Sequence, residues 1–361
     1  MVRPDAPVGS TNPKRVMIVD DSLVARTVLS RIVEAEPDLQ IVAKATTGEM
    51  AIARLADTPV DVILLDLEMP GMGGIGALPR ILELAAGGQV LVVSSLTARG
   101  AEHTLAALSM GAADTLLKPR GGEFDTAYER TLVAKIRALA SRSGACAAPV
   151  RPAVAPPNTS PQSGRTPRAL AIGASTGGIH AMCLLLGALP RSFDLPILVA
   201  QHLPESFMGT LARQLQAASR RPASVASPGT IIENGQIYVA PGDGHMIVRR
   251  QGARLVTGIA HHPAPSGCTP SVDPLFESLA EATGGHALGV ILSGMGRDGA
   301  IGAACMVAAG GHVFAQDSVT SAVWGMPRAV AEAGLATAVL PPEQIAMRLA
   351  AMAASVQAQR A

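Results

Sequence analysis

The chain has 361 residues, 48% of them hydrophobic, which is enough for two domains, or three, each with a buried core. Five Phe, two Tyr and one Trp make that core aliphatic and leave few stacking platforms for single-stranded nucleic acid. Lys plus Arg is 29 against 28 Asp plus Glu, and a net charge of +1 provides no broad field for polyanions.

In chain order, residues 1–13 carry no apolar h-region, so no signal peptide is expected and the segment reads as a disordered tail. From 14 to 140 short apolar runs alternate with helical patterns. Arg15–Asp20, Ile41–Ala45, Val62–Leu65, Val90–Val93 and Thr115–Leu117 read as strands. Val24, Val28 and Ile32 recur at helical spacing, and Ala127–Ala140 reads as the last helix. Such alternation predicts a parallel sheet covered on both faces. Residues 141–168 hold six prolines and only two large aliphatic residues, Val150 and Val154, which predicts an extended, flexible linker.

From 169 to 361 the α/β pattern returns. Ala169–Ile172, Ile197–Ala200, Ile237–Val239, Met246–Val248, Ala287–Leu292 and His312–Ala315 read as strands. Leu184–Leu189, Met208–Ala217, Leu275–Ala282 and Ala300–Ala309 read as helices, and Ala240–Gly244 as a hairpin turn. The longest uncharged stretch, between Asp298 and Asp317, is broken by glycines and predicts no membrane span. None of the four cysteines forms a C-x-x-C pair or has a His at zinc spacing, so neither a disulfide framework nor a Cys-based metal site is expected.

The first half gathers polar residues at strand ends. Asp20 and Asp21 follow the first strand, Asp66 ends the third, Ser94 the fourth and Lys118 the fifth. In an open parallel sheet these ends share one edge, where ligands bind. Carboxylates packed together repel, and Mg²⁺ with its oxygen ligands removes the repulsion. Asp66 is then a nucleophile toward phosphorus, Lys118 neutralises the added charge, and Ser94 hydrogen-bonds a phosphoryl oxygen. Taken singly, Asp20 or Asp21 also fits a helix cap, and Lys118 a surface lysine.

Ile18-Val19-Asp20-Asp21-Ser22, Asp61 through Pro70, Val93-Ser94-Ser95-Leu96-Thr97 and Lys118-Pro119 resemble a response-regulator receiver domain. The resemblance implies a flavodoxin-like fold and phosphorylation of Asp66 by a histidine kinase. It also implies Mg²⁺ held by Asp20, Asp21, Asp66 and the Glu68 backbone carbonyl. Thr115 stands where receivers usually carry an aromatic switch residue, and Gly73 where they often carry Asp.

In the second half, Gly173-Ala174-Ser175-Thr176-Gly177 fits G-x-S-x-G, in which flanking glycines turn a strand abruptly into a helix and project the serine. A serine nucleophile needs a base, and the base an orienting acid. His202 follows one strand and Asp298 another, so topology predicts that Ser175, His202 and Asp298 meet. The order Ser–His–Asp differs from that of α/β-hydrolases. Alone, the serine motif also fits a phosphate loop or a tight turn, and a lone His after a strand fits a structural role.

Ala171 through Gly178, Gln201-His202, Tyr238 through Asp243, Pro270-Ser271-Val272-Asp273, Gly289 through Gly299 and Gly325-Met326-Pro327-Arg328 closely resemble the chemotaxis protein-glutamate methylesterases. That resemblance implies a cytoplasmic, phosphorylation-activated hydrolase that demethylates glutamyl methyl esters on chemoreceptors and deamidates receptor glutamines. No cofactor is implied for the ester reaction. Backbone N–H groups of Thr176 and Met295 would hold the oxyanion, and the unphosphorylated receiver would cover the esterase cleft. Neither nucleic acid nor membrane insertion is implied. Three rivals stand beside this reading. One is a transcriptional regulator, although residues 168–361 hold 12 Arg, no Lys and 11 acids, with no basic recognition cluster. The others are a hydrolase of small soluble esters and a catalytically silent adaptor.

Overall fold

The computed structural model describes residues 12–95, 97–119, 124–141 and 166–360. Most of the expected tail (1–13) and linker (141–168) therefore lies outside the described residues. The chain divides into two compact units: the described residues of 1–100 and 114–146, and those of 101–113 and 147–361.

Through the first half the order is β1 (Lys14–Val19), α1 (Leu23–Glu34), β2 (Leu39–Ala45), α2 (Gly48–Leu55), β3 (Val62–Leu65), α3 (Gly73–Leu84), β4 (Gln89–Ser94), α4 (Ala98–Met110), β5 (Asp114–Leu117) and α5 (Thr126–Ala140). The five strands form a parallel sheet in the order β2-β1-β3-β4-β5. This is the flavodoxin-like order, with its switch point between β1 and β3. All four residues of β3 are buried, as an uninterrupted apolar run requires when both sheet faces are covered. Ser22 caps α1 by accepting from Ala25 N at 3.3 Å, so the cap is neither of the two preceding aspartates.

The second half runs β6 (Ala169–Ala174), α6 (Gly178–Ala188), β7 (Ile197–Gln201), α7 (Glu205–Ser219), β8 (Ala223–Val225), β9 (Ile237–Val239), β10 (His245–Gln251), β11 (Arg254–Ala260), α8 (Val272–Thr283), β12 (Ala287–Ile291), α9 (Ala300–Ala308), β13 (His312–Gln316), α10 (Met326–Glu332), β14 (Ala338–Leu340) and α11 (Pro342–Arg360). Seven strands make a parallel sheet, β14-β13-β12-β6-β7-β9-β8. Its switch point falls between β6 and β12, because the chain builds outward from β6 on one side and returns on the other. Phe276 of α8 and Met306 of α9 are fully buried in a core with Leu198, Val272 and Ile291.

Two features correct the sequence reading. Ala240–Gly244 is no hairpin turn: β9 lies in the large sheet and β10 in a separate two-stranded one. The hairpin is β10–β11, closed at Gly252-Ala253, with Gly252 at φ +61°. Helix α6 also starts at Gly178, well before Leu184, because the glycines that open it hide its periodicity. Among the described residues no helix is long and apolar enough to cross a membrane.

Candidate active site

At the switch point of the first sheet, Asp20 follows β1 and Asp66 follows β3. One carboxylate oxygen each of Asp20, Asp21 and Asp66 lie within 4.8 Å of one another. The Lys118 ammonium reaches Asp66 Oδ2 at 2.7 Å and Asp20 Oδ2 at 2.8 Å. Burial raises the Asp66 pKa above the ordinary carboxylate range; Lys118 opposes the shift and the Asp20 charge adds to it. Burial lowers the Lys118 pKa, but the two carboxylates outweigh it and raise it overall. Three like charges with one ammonium and an all-oxygen donor set fit a hard divalent cation such as Mg²⁺. Glu68 donates its backbone N–H to Asp66 Oδ1 at 3.2 Å, while its side chain accepts from Ser95 Oγ at 2.8 Å. Ser94 is buried at the end of β4, and its carbonyl accepts from Lys118 N at 2.8 Å. Thr115 is buried in β5.

In the second sheet the register pairs Ala174 of β6 with Gln201 of β7. Ser175 and His202 come directly after that pair, and His202 N donates to Ala174 O at 3.1 Å. Gln201 Nε2 fixes the Ser175 carbonyl at 3.0 Å, and Gly178 N does so at 2.9 Å. The sharp turn depends on Gly177, whose φ of +78° disfavours a side chain and whose added Cβ would lie 2.4 Å from Ala322 Cβ.

Asp298 sits in the loop after β12, next to β6. His202 Nε2 donates to its Oδ2 at 2.7 Å, so Nδ1 is the ring nitrogen that can act as a base. Four further donors hold the carboxylate: Val272 N (2.7 Å) on Oδ2, with Ser271 Oγ (2.7 Å), Gly299 N (3.0 Å) and Asp273 N (3.4 Å) on Oδ1. Burial alone would push Asp298 up, but the His202, Val272 and Ser271 hydrogen bonds win and hold it well below the ordinary carboxylate range. Burial lowers the His202 pKa, yet Asp298 and the nearby Cys268 outweigh it and raise it to about 9. Asp273, buried beside Asp298, is pushed up to about 6 by burial against the opposing Gly302 amide, with the Asp298 charge adding to the rise. A buried carboxylate fixing an imidazole beside a serine at a strand-to-helix turn is an arrangement suited to acyl transfer.

A family profile for the CheB methylesterase matches residues 170–349, and one for the response regulator receiver domain matches residues 16–126. The chain is 46% identical to protein-glutamate methylesterase/protein-glutamine glutaminase 2 of Caulobacter vibrioides, over 95% of this chain and 99% of that protein. The chain belongs to the CheB methylesterase family. It is also 41% identical to protein-glutamate methylesterase/protein-glutamine glutaminase 1 of Paramagnetospirillum magneticum, over 96% and 99% of the two chains. Among solved structures, the Thermotoga maritima CheB methylesterase catalytic domain matches with a TM-score of 0.50 and 34% identity, covering 52% of this chain and 99% of that one.

In this CheB-family chain the predicted oxyanion residues occupy different surroundings. Thr176 is buried in the turn after Ser175, whereas Met295 is exposed on the loop after β12. Ser293 ties that loop to the serine turn: its carbonyl accepts from Ser175 N at 3.0 Å and its hydroxyl donates to Thr176 O at 2.7 Å. Gln316 Oε1 in turn accepts from Ser293 N at 2.7 Å. Sequence reasoning assigned no role to Ser271, Ser293 or Gln316. The signals for Ser271 and Ser293 lie in their places within Pro270-Ser271-Val272-Asp273 and Gly289 through Gly299; Gln316 carries none, because it acts on a backbone group of another segment. His245 was also unassigned, and it accepts from Ser271 N on Nδ1 (2.9 Å) while donating from Nε2 to His262 O (2.8 Å).

Proposed function

We propose that the protein is a phosphorylation-activated protein-glutamate methylesterase that also deamidates glutamine. Its substrates are chemoreceptors in the cytoplasm. The His202–Asp298 hydrogen bond of 2.7 Å, one residue beyond the strand pair that also presents Ser175, carries the reading.

Ser175 Oγ attacks the ester carbonyl while His202 Nδ1 takes its proton, and Asp298 stabilises the imidazolium through Nε2. The backbone N–H groups of Thr176 and Met295 receive the oxyanion; one such donor contributes about 3 kcal/mol. His202 returns the proton to the departing methanol, or to ammonia from a glutamine. Water, activated by the same imidazole, then releases the glutamate and frees Ser175.

Asp66 accepts the phosphoryl group from a chemotaxis histidine kinase. Asp20, Asp21, Asp66 and the Glu68 carbonyl would hold Mg²⁺, which would neutralise the crowded carboxylates and the incoming phosphoryl charge. Lys118 pairs with the new phosphoryl oxygens, and Ser94 hydrogen-bonds one of them.

The test is methanol release from receptor-bearing membranes with radiolabelled methyl esters. Ser175→Ala should lower the rate by at least about a thousandfold. Release at the wild-type rate would remove the nucleophile. The same enzyme preparation should hydrolyse methylated receptor far faster than a generic soluble ester; the reverse preference would favour the small-ester hydrolase.

A further inference from the structure

Spacing along the chain predicted no cysteine-based metal site, because residues 202, 268 and 298 share no local motif. The fold nevertheless brings them together. One ring nitrogen of His202, the Cys268 sulfur and one carboxylate oxygen of Asp298 lie within 4.8 Å of one another. The His202 side chain is 13% exposed and Cys268 is half-buried, which leaves an ion a narrow approach from solvent, and Asp298 is buried beneath.

The site is organised in advance. Cys268 N donates to Ser266 Oγ (3.3 Å), Ser266 Oγ donates to Ser271 Oγ (3.3 Å), and Ser271 Oγ donates to Asp298 Oδ1 (2.7 Å). The Cys268 thiol makes a long contact of 3.8 Å to Ser266 O and already interacts with the His202 ring, so it needs little reorientation to face a cation there.

We propose that His202, Cys268 and Asp298 form a zinc-binding site that switches the hydrolase off. A thiolate, an imidazole and a carboxylate match the donor preferences of Zn²⁺, whereas Mg²⁺ and Ca²⁺ prefer oxygen alone. In a tetrahedral site with bonds of about 2.0–2.3 Å, the donor atoms lie roughly 3.3–3.7 Å apart. Loop adjustments of about an ångström close the cluster to that size. Water takes the fourth position. Binding is not a redox step: Zn²⁺ takes the place of the Nε2 proton between His202 and Asp298 and accepts lone pairs from nitrogen, sulfur and oxygen, while the thiol proton and that ring proton leave to solvent. With zinc on Nε2 the remaining ring proton stays on Nδ1, so the imidazole cannot take the Ser175 proton. The effect on turnover rests on the proposed esterase reading, while the binding itself does not.

The experiment uses the full chain with excess Mg²⁺, so that the all-oxygen carboxylate pocket is filled. Co²⁺ is titrated in and absorbance is recorded. The expected result is a thiolate-to-cobalt charge-transfer band in the near ultraviolet, abolished by Zn²⁺ and lost in Cys268→Ser and Cys268→Ala. Ser175→Ala should keep the band. In the methanol-release assay Zn²⁺ should inhibit the wild-type chain, and a chelator should restore activity. Half-inhibition of Cys268→Ser, measured against its own zinc-free rate, should need at least about tenfold more Zn²⁺. No thiolate band in the wild-type chain, a band that survives both Cys268 substitutions, or equal zinc sensitivity would overturn the site. Were the wild-type chain to release no methanol, the esterase reading would fall, and the cobalt spectrum would still decide on the metal.

Discussion

Asp66 directly follows β3 and Asp298 sits in the loop that follows β12, each of these strands flanks the switch point of its sheet, and both aspartates are buried. Their surroundings push them in opposite directions. Burial and the neighbouring Asp20 charge raise Asp66 even with Lys118 at 2.7 Å. Burial acts on Asp298 too, but His202, the Val272 amide and the Ser271 hydroxyl reverse it. The first pocket keeps an excess of negative charge and suits a cation and an incoming phosphoryl group. The second fills its carboxylate with donors and leaves it fixed, suited to holding an imidazole. Residue type and topology are shared; the partners of the side chain set the chemistry.

Substitution of each aspartate by its amide separates the two roles. Asp66→Asn removes the acceptor altogether. Incubation with a small phosphodonor and Mg²⁺ should label the wild-type chain with an acid-stable, base-labile phosphoryl group and leave the variant unlabelled. The variant should keep unstimulated ester hydrolysis and lose its stimulation by the phosphodonor. Asp298→Asn should leave phosphoryl labelling intact and lower methanol release by about 10³–10⁴-fold, because the amide no longer fixes the imidazole in the right tautomer. Equal effects of the two substitutions on both readouts would erase the distinction.

A smaller effect follows from pH. With its pKa raised to about 9, His202 is protonated at neutral pH, and the reaction requires it neutral. The kcat/KM for ester hydrolysis should therefore rise about tenfold per pH unit up to an inflection near 9. A plateau already reached below pH 7 would mean that Asp298 and Cys268 do not hold the imidazolium. Stability should follow the same pair in the opposite sense. The contribution of His202 is complete below its ordinary value of 6.5 and is lost as pH rises through about 9.

The parallel sheets were legible because β3 and β12 are uninterrupted apolar runs, and strand ends then located Asp20, Asp66, His202 and Asp298 without any knowledge of contacts. The pair β10–β11 was half missed, since Arg254 opens β11 and the turn before it is only two residues long. The supporting groups were less visible for a different reason. Ser293 and Gln316 act on backbone atoms, which leave no side-chain pattern in the partner segment. Cys268 meets His202 and Asp298 only through tertiary folding, across 66 and 30 positions of the numbering.

Carbon-13 carboxyl chemical shifts of the two aspartates, followed from low to neutral pH in the Mg²⁺-free chain, test the opposed environments most directly. Asp66 should titrate above the ordinary range for aspartate. Asp298 should stay ionised well below it, and Asp298 alone should respond when His202 is replaced by Gln. Titration of both carboxyls together, or an Asp298 that protonates before Asp66 as the pH falls, would contradict the account.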